Sequence, residues 1–152
     1  MTATHAAQAG DRLVVCSHCS GVNRVPASRR AEDAKCGVCH EKLFSGHPED
    51  ITGAALERQV ARGTLPVLVD VWAPWCGPCR MMAPAYEAAA HELEPDVRLV
   101  KLNSDNEQET AARLGIRGIP TMILFHGGRE IARASGAMAA GQIVAWVRGR
   151  LA

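Results

Sequence analysis

The apolar residues of this chain are spaced in three different ways. Residues 67–72, Val-Leu-Val-Asp-Val-Trp, form a near-unbroken apolar and β-branched run broken only by Asp70, as expected of a parallel strand buried on both faces. Pro78 suits the first position of a helix, where its missing N–H costs nothing, and residues 80–91 have helical composition. Pro84 falls inside that helix and is expected to kink it. Residues 97–102 predict a second strand, parallel to the first through a right-handed crossover. Upstream, residues 50–62 predict a helix with Leu56 and Val60 on one face and Gly63 as its stop. Ser104 and Glu107 have the spacing of a capping box for a helix ending at Gly115. Residues 121–125 and 130–134 flank His126-Gly127-Gly128-Arg129 and predict an antiparallel hairpin, followed by a last helix over residues 141–150. The result is an α/β domain over residues 49–152, a mixed central sheet flanked by helices.

The first third of the chain has no such pattern. Leu13-Val14-Val15, Val22, Val25 and Leu43-Phe44 are all it offers for a core, too little to fold unaided. It does carry Cys16-Ser-His-Cys19 and Cys36-Gly-Val-Cys39, two pairs separated by sixteen residues, which is the spacing of a four-cysteine zinc site. Each pair forms a knuckle, and two facing knuckles supply four thiolates to a tetrahedral ion. A closed shell leaves no position for water, so the zinc is expected to be structural. His18 and His40 are alternative ligands, but four cysteines suffice. The expected organisation is a flexible segment over residues 1–12, a small zinc-ribbon domain over 13–44 and a linker over 45–48, which leaves the ribbon free to lie near the surface around Cys76.

Composition narrows the function classes. In 152 residues the formal net charge is +1, so no global field favours nucleic acid or a membrane surface. Arg24, Arg29, Arg30 and Lys35 make the ribbon loop basic, but Glu32 and Asp33 interrupt the run and no aromatic residue is interleaved for base stacking, which argues against nucleic-acid binding. The N-terminus lacks the basic and apolar regions of a secretory signal, and no apolar run approaches membrane-spanning length. A cytoplasmic location follows as the expectation. There, cysteine pairs are metal ligands or redox centres more often than structural disulfides, and all six cysteines fall into Cys-x-x-Cys pairs.

The third pair, Cys76-Gly77-Pro78-Cys79, stands where the central strand turns into a helix. Unpaired N–H groups and the positive end of the helix dipole favour the Cys76 thiolate and make it a nucleophile near neutral pH. Cys79, one turn on and deeper, is within reach of a mixed disulfide formed at Cys76. Gly77-Pro78 carries no charge that would further stabilise the dithiol form, which puts the couple at the reducing end. A carboxyl buried among valines, as Asp70 would be, has a raised pKa unless paired, which suits proton transfer near neutrality, with Lys101 on the neighbouring strand to tune it. Trp75 is expected to form an exposed lip of the substrate surface, and Trp72 to belong to the core.

The run from Val69 through Trp75-Cys76-Gly77-Pro78-Cys79, with Lys101-Leu102-Asn103, Arg117-Gly118-Ile119-Pro120-Thr121 and Ser135-Gly136-Ala137 in that order, resembles the thioredoxin family over about 100 residues from the helix near Asp50 onward. With the zinc pairs ahead, the whole chain is similar to the bacterial type-two thioredoxins, which carry an N-terminal zinc ribbon. Arginine at 80, where lysine is common, and methionine at 81 and 82 are the departures. The resemblance implies a thioredoxin fold with a cis Ile119-Pro120 bond packed against the two cysteines. It also implies a protein-disulfide reductase with nucleophile Cys76, resolving Cys79 and proton-transfer acid Asp70. Trp75, Gly77, Pro78, Ile119, Pro120, Gly136 and Ala137 would form the surface for an extended substrate peptide. Electrons would come from an NADPH-dependent, flavin-containing thioredoxin reductase and pass to oxidised proteins, with zinc and the Cys76–Cys79 disulfide as the redox and metal centres, no organic cofactor, and a monomeric chain. Under oxidative stress the ribbon thiolates are expected to pair as disulfides and eject zinc while residues 49–152 stay folded. Two other classes stay open: a zinc-dependent redox sensor or holdase chaperone, and a binding module that recruits partners through the ribbon.

Overall fold

The structure, a computed structural model, describes residues 10–152; the segment expected to be flexible over 1–12 lies outside the described residues for its first nine positions. The ribbon opens with an antiparallel hairpin of strands β1 (Arg12–Val15) and β2 (Val22–Val25). A short 3-10 turn (Ala31–Asp33) follows, and a bridge between Lys35 and Lys42 closes the second knuckle. The remainder builds a five-stranded sheet in the order β3-β5-β4-β6-β7, from β3 (Glu49–Asp50), β4 (Val67–Trp72), β5 (Arg98–Asn103), β6 (Thr121–His126) and β7 (Arg129–Ser135). Central β4 runs parallel to β5 and antiparallel to β6, which makes the sheet mixed. The helices are α1 (Gly53–Arg62), α2 (Gly77–Leu93), α3 (Gln108–Arg113) and α4 (Ala140–Leu151).

Because side chains alternate across a strand, β4 serves two cores. Leu68 joins Leu99, Met122 and Leu124 beneath α2 and α4, where Met82, Tyr86, Ile143 and Val147 close the layer. Val67, Val69 and Val71 face the other way, with Val100, Ile123 and Leu56 of α1. The fully buried Tyr86 hydroxyl sits within hydrogen-bond distance of two carbonyl oxygens, Leu68 at 3.0 Å and Val100 at 2.7 Å.

Several boundaries differ from expectation for local reasons. The first helix of the sheet domain starts at Gly53 and not at Asp50, because Thr52 Oγ1 accepts from the Ala55 N–H as an N-cap. Glu49 and Asp50 instead extend the sheet by pairing with Val100 and Lys101. The capping box at Ser104 and Glu107 does not form. Ser104 Oγ donates to the Trp72 carbonyl at 3.0 Å, Glu107 Oε1 accepts from Gly53 N–H at 2.7 Å, and α3 begins only at Gln108. Long-range partners took both side chains from the local motif. The hairpin forms as expected around Gly127 and Gly128, both at positive φ. Helix α2 runs continuously through Pro84, and Ile119-Pro120 is cis, as is Glu94-Pro95, which nothing in the sequence pattern singled out.

The ribbon packs on the sheet domain directly, at the end remote from Cys76. Thr64 N–H donates to the Leu13 carbonyl and Leu13 N–H to Thr64 Oγ1, each at 3.0 Å. Arg58 Nε donates to the Ser20 carbonyl at 2.6 Å and Gln59 Nε2 to Ser17 Oγ at 3.1 Å. Arg98, only 5% exposed, donates to the carbonyls of Leu43 at 2.7 Å and Val15 at 3.3 Å, with its guanidinium 4.1 Å from the centre of the Phe44 ring. These contacts lie at the starts of β4 and β5, whereas Cys76 follows the end of β4, roughly 20 Å away along the strand. A ribbon near the Cys76 surface is therefore corrected by the position of Arg98.

Arg98→Ala leaves two carbonyls without a donor and uncovers Phe44, so it is expected to lower the unfolding free energy by about 2–4 kcal/mol. Urea unfolding checks this, and a loss under about 1 kcal/mol would show that water replaces the guanidinium at no cost.

Candidate functional site

The end of β4 and the start of α2 set the site. After Trp72 the chain turns through Ala73–Trp75, and Cys76 becomes the N-cap of α2 with Pro78 in its first turn. Cys79 N–H donates to Cys76 Sγ at 3.2 Å, so a helix-terminal amide aims at that sulfur. Cys76 and Cys79 are joined as a disulfide with Cα atoms 5.2 Å apart. Their exposures are close, 4% and 2%, and access separates them more than depth does: Cys76 lines an open groove of about 650 Å³. Trp75, Gly77, Pro78 and Ile119 line it too. The Ile119 carbonyl oxygen lies 3.7 Å from Cys76 Sγ, and buried Pro120 follows through the cis bond. Gly136 and Ala137 do not line this groove, nor does Pro120; the Gly136 N–H donates to the Pro120 carbonyl at 2.9 Å, next to Ile119.

The far wall of the groove was not read from the sequence. Gln108, Ala111 and Ala112 of α3 and Ile116 to Gly118 form it, and Asp105 accepts from Trp75 Nε1 at 3.2 Å, holding the indole, 68% exposed, over the entrance. The helix expected from Ser104 to Gly115 contains the α3 part of this wall, but no apolar stripe in Gln108–Arg113 pointed to it.

Asp70 lies on the face of β4 that meets α2, 1% exposed, with no hydrogen-bond partner for either carboxylate oxygen among the described residues. Burial pushes its carboxyl up to about 7; Lys101 on β5 opposes the rise and Asp50 on β3 adds to it. A group with that value exchanges a proton near neutrality.

The second candidate site is in the ribbon. The sulfurs of Cys16, Cys19, Cys36 and Cys39 all lie within 4.8 Å of one another, with Cys16–Cys39 at 3.7 Å and Cys19–Cys36 at 3.5 Å. Four thiolates about 2.3 Å from one tetrahedral zinc are about 3.8 Å apart, so the set fits zinc. Backbone N–H groups of His18, Gly21 and Val38 point at Cys16, Cys19 and Cys36 at 3.3–3.4 Å, as expected around metal thiolates. Ser20 and His40 take positive φ where each knuckle turns back. Neither His18 nor His40 belongs to the sulfur cluster. The basic loop is partly neutralised, Arg24 by Asp11 at 3.0 Å and Arg30 by Glu32 at 2.9 Å.

Two family models match the chain, one over each of the regions that hold these sites. The family model described as Thioredoxin matches residues 48–149, and the zinc-ribbon model described as Thioredoxin 2, N-terminal, matches residues 15–41. Thioredoxin C-3 of Corynebacterium nephridii is 35% identical over 135 residues, spanning 89% of this chain and 92% of its own. The thioredoxin of Pseudomonas aeruginosa is 41% identical over 104 residues, 68% of this chain and 96% of its own. That of Porphyra purpurea is 46% identical over 88 residues, 58% and 82% respectively.

Because the folded-state carboxyl of Asp70 stays protonated up to about 7 and an unfolded one ionises near 3.8, its ionisation costs native stability fully above pH 7 and not at all below about 3.8. Asp70→Asn is thus expected to raise the unfolding free energy by about 2–4 kcal/mol at pH 8 and by little at pH 4. Denaturant titration at the two pH values checks the sign, and a pH-independent difference would refute the buried ionisation.

Proposed function

The chain belongs to the thioredoxin family, and on that premise we propose that it reduces protein disulfides at Cys76 and Cys79. The observation that carries the reading is the Cys76 sulfur at the N-cap of α2, taking the Cys79 N–H at 3.2 Å at the edge of an open groove. In the dithiol form that sulfur is favoured as a thiolate. It attacks one sulfur of a substrate disulfide; a bond forms from Cys76 to that sulfur, the substrate S–S bond breaks, and the second substrate sulfur leaves as thiolate and takes a proton. Asp70 accepts the Cys79 proton, and the Cys79 thiolate attacks Cys76 Sγ. The Cys76–Cys79 disulfide closes and the first substrate sulfur leaves, so two electrons have passed to the substrate. Trp75, Gly77, Pro78, Ile119 and Pro120 form the substrate surface, completed by Gly136, whose N–H donates to the Pro120 carbonyl, and Ala137.

Thioredoxin reductase, carrying flavin and drawing on NADPH, is the electron donor this reading requires, and oxidised proteins are the acceptors. A reducing compartment such as the cytoplasm suits four ribbon thiolates kept unpaired. Among the described residues, no helix is long and apolar enough to cross a membrane. Cys16, Cys19, Cys36 and Cys39 would hold one structural zinc, which clamps the two knuckles and takes no part in thiol exchange. The ribbon would also respond to oxidation, since two two-electron oxidations by peroxide would convert its four thiols to two disulfides with release of the ion.

Trapping tests the division of labour. Cys76→Ser is expected to lose insulin reduction to background, whereas Cys79→Ser accumulates mixed disulfides detectable by mass spectrometry; trapping by the Cys76 variant instead would reverse the assignment. A chelator is expected to remove one zinc per chain and unfold the ribbon while residues 49–152 keep insulin-reducing activity. Loss of that activity together with the far-ultraviolet signal of the sheet domain would refute the independence of the two sites.

A further inference from the structure

Three neighbouring strands place charged residues on one rung of the sheet. Asp50 of β3 is in register with Lys101 of β5, and Lys101 with Asp70 of β4. In-register residues project to the same face, and this face meets α2. Lys101 thus stands between two carboxylates, one at the sheet edge and one buried at its centre. Trp72, two residues beyond Asp70 and so on the same face, fixes the arrangement. Its Nε1 donates to Asp50 Oδ1 at 2.8 Å, and the Lys101 Nζ lies 4.3 Å from the centre of its ring. The indole holds the carboxylate by its edge and the ammonium by its face. Trp72 is packed in turn against Cys76 and Cys79.

We infer that Asp50, held by the Trp72 indole, is a positioning residue that offsets the Lys101 charge beside Asp70 and so sets the pH at which Asp70 exchanges its proton. This rests on the proton-transfer role proposed above for Asp70. A lone ammonium on the rung would favour the ionised carboxylate and pull the Asp70 midpoint down from where burial sets it. A second carboxylate on the far side of Lys101 restores the balance without entering the core, because Asp50 is exposed at the edge while Asp70 is buried. The other groups facing Asp70 do not compete for that role. Met122 of β6, its register partner, carries no charge. No other residue of β4 titrates. From α2 come Tyr86, whose phenol is kept protonated by burial first and by the nearness of Asp70, and Cys79, the proposed proton donor.

The experiment titrates the Asp70 carboxyl directly, by carbon-13 NMR on the full-length, zinc-loaded, oxidised protein, with the signal assigned through Asp70→Asn. Asp50→Asn keeps an amide oxygen to accept from Trp72 Nε1 and removes only the charge. It is expected to lower the Asp70 midpoint by about 0.3–1 pH unit, Lys101→Met to raise it by a similar amount, and the double variant to fall between them. A packing defect would not yield shifts of opposite sign. An Asp70 midpoint that stays put or rises in Asp50→Asn overturns the inference whatever the activity. The pH profile of insulin reduction is measured on the same variants and is expected to move with the NMR midpoint in sign and size. If the NMR midpoint moves and the profile does not, the failure lies with Asp70 as proton carrier, and Asp50 then serves no step of the reaction.

Discussion

Strand β4 has no solvent to satisfy its backbone, since it is paired along both edges by β5 and β6 and covered on both faces by helices. Every residue it carries must therefore be apolar or accept the cost of burial, and Asp70 is the one that does. The same confinement fixes the direction in which the strand ends. At that end α2 starts on Cys76, so a strand paired on both edges and covered on both faces presents the sulfur to the helix amides and to the groove. The placement of the Cys76 sulfur and of the buried Asp70 carboxyl are two outcomes of one packing constraint.

The two ends of the sheet do different work. At the ends of β4 and β5 lie the disulfide, the groove and the Asp50–Lys101–Asp70 rung; at their starts, Arg98 takes ribbon carbonyls next to Cys16 and beside Phe44. The ribbon core, Val14, Val25, Leu43 and Phe44 among it, is completed by Leu65 from the chain leading into β4. A small domain whose four clustered sulfurs fit a metal ion thus also leans on the larger one for part of its apolar cover. The length of a strand keeps the ribbon sulfurs apart from the Cys76–Cys79 disulfide.

Much was legible in the sequence because it depends on short spacings. Paired cysteines three residues apart, a buried run of Val and Leu, a Gly-Gly turn and Pro78 at a helix start specify their local geometry with little help, which is why the ribbon knuckles, β4, the hairpin and the first turn of α2 formed where expected. The cis form of Ile119-Pro120 was carried by resemblance alone.

What only the tertiary structure decided are pairings between residues far apart in the chain. Ser104 and Glu107 are spaced as a capping box, yet Trp72 and Gly53 claim them. Asp50 reads as the first residue of a helix until β5 pairs with it and Trp72 binds its carboxylate. Arg98 lies second in the strand expected over residues 97–102, a polar position with no assigned partner until the ribbon closes over it. Local spacing determines which groups are offered, whereas a polar side chain that is to be buried takes whichever partner the fold brings within hydrogen-bond reach, and strand order decides that.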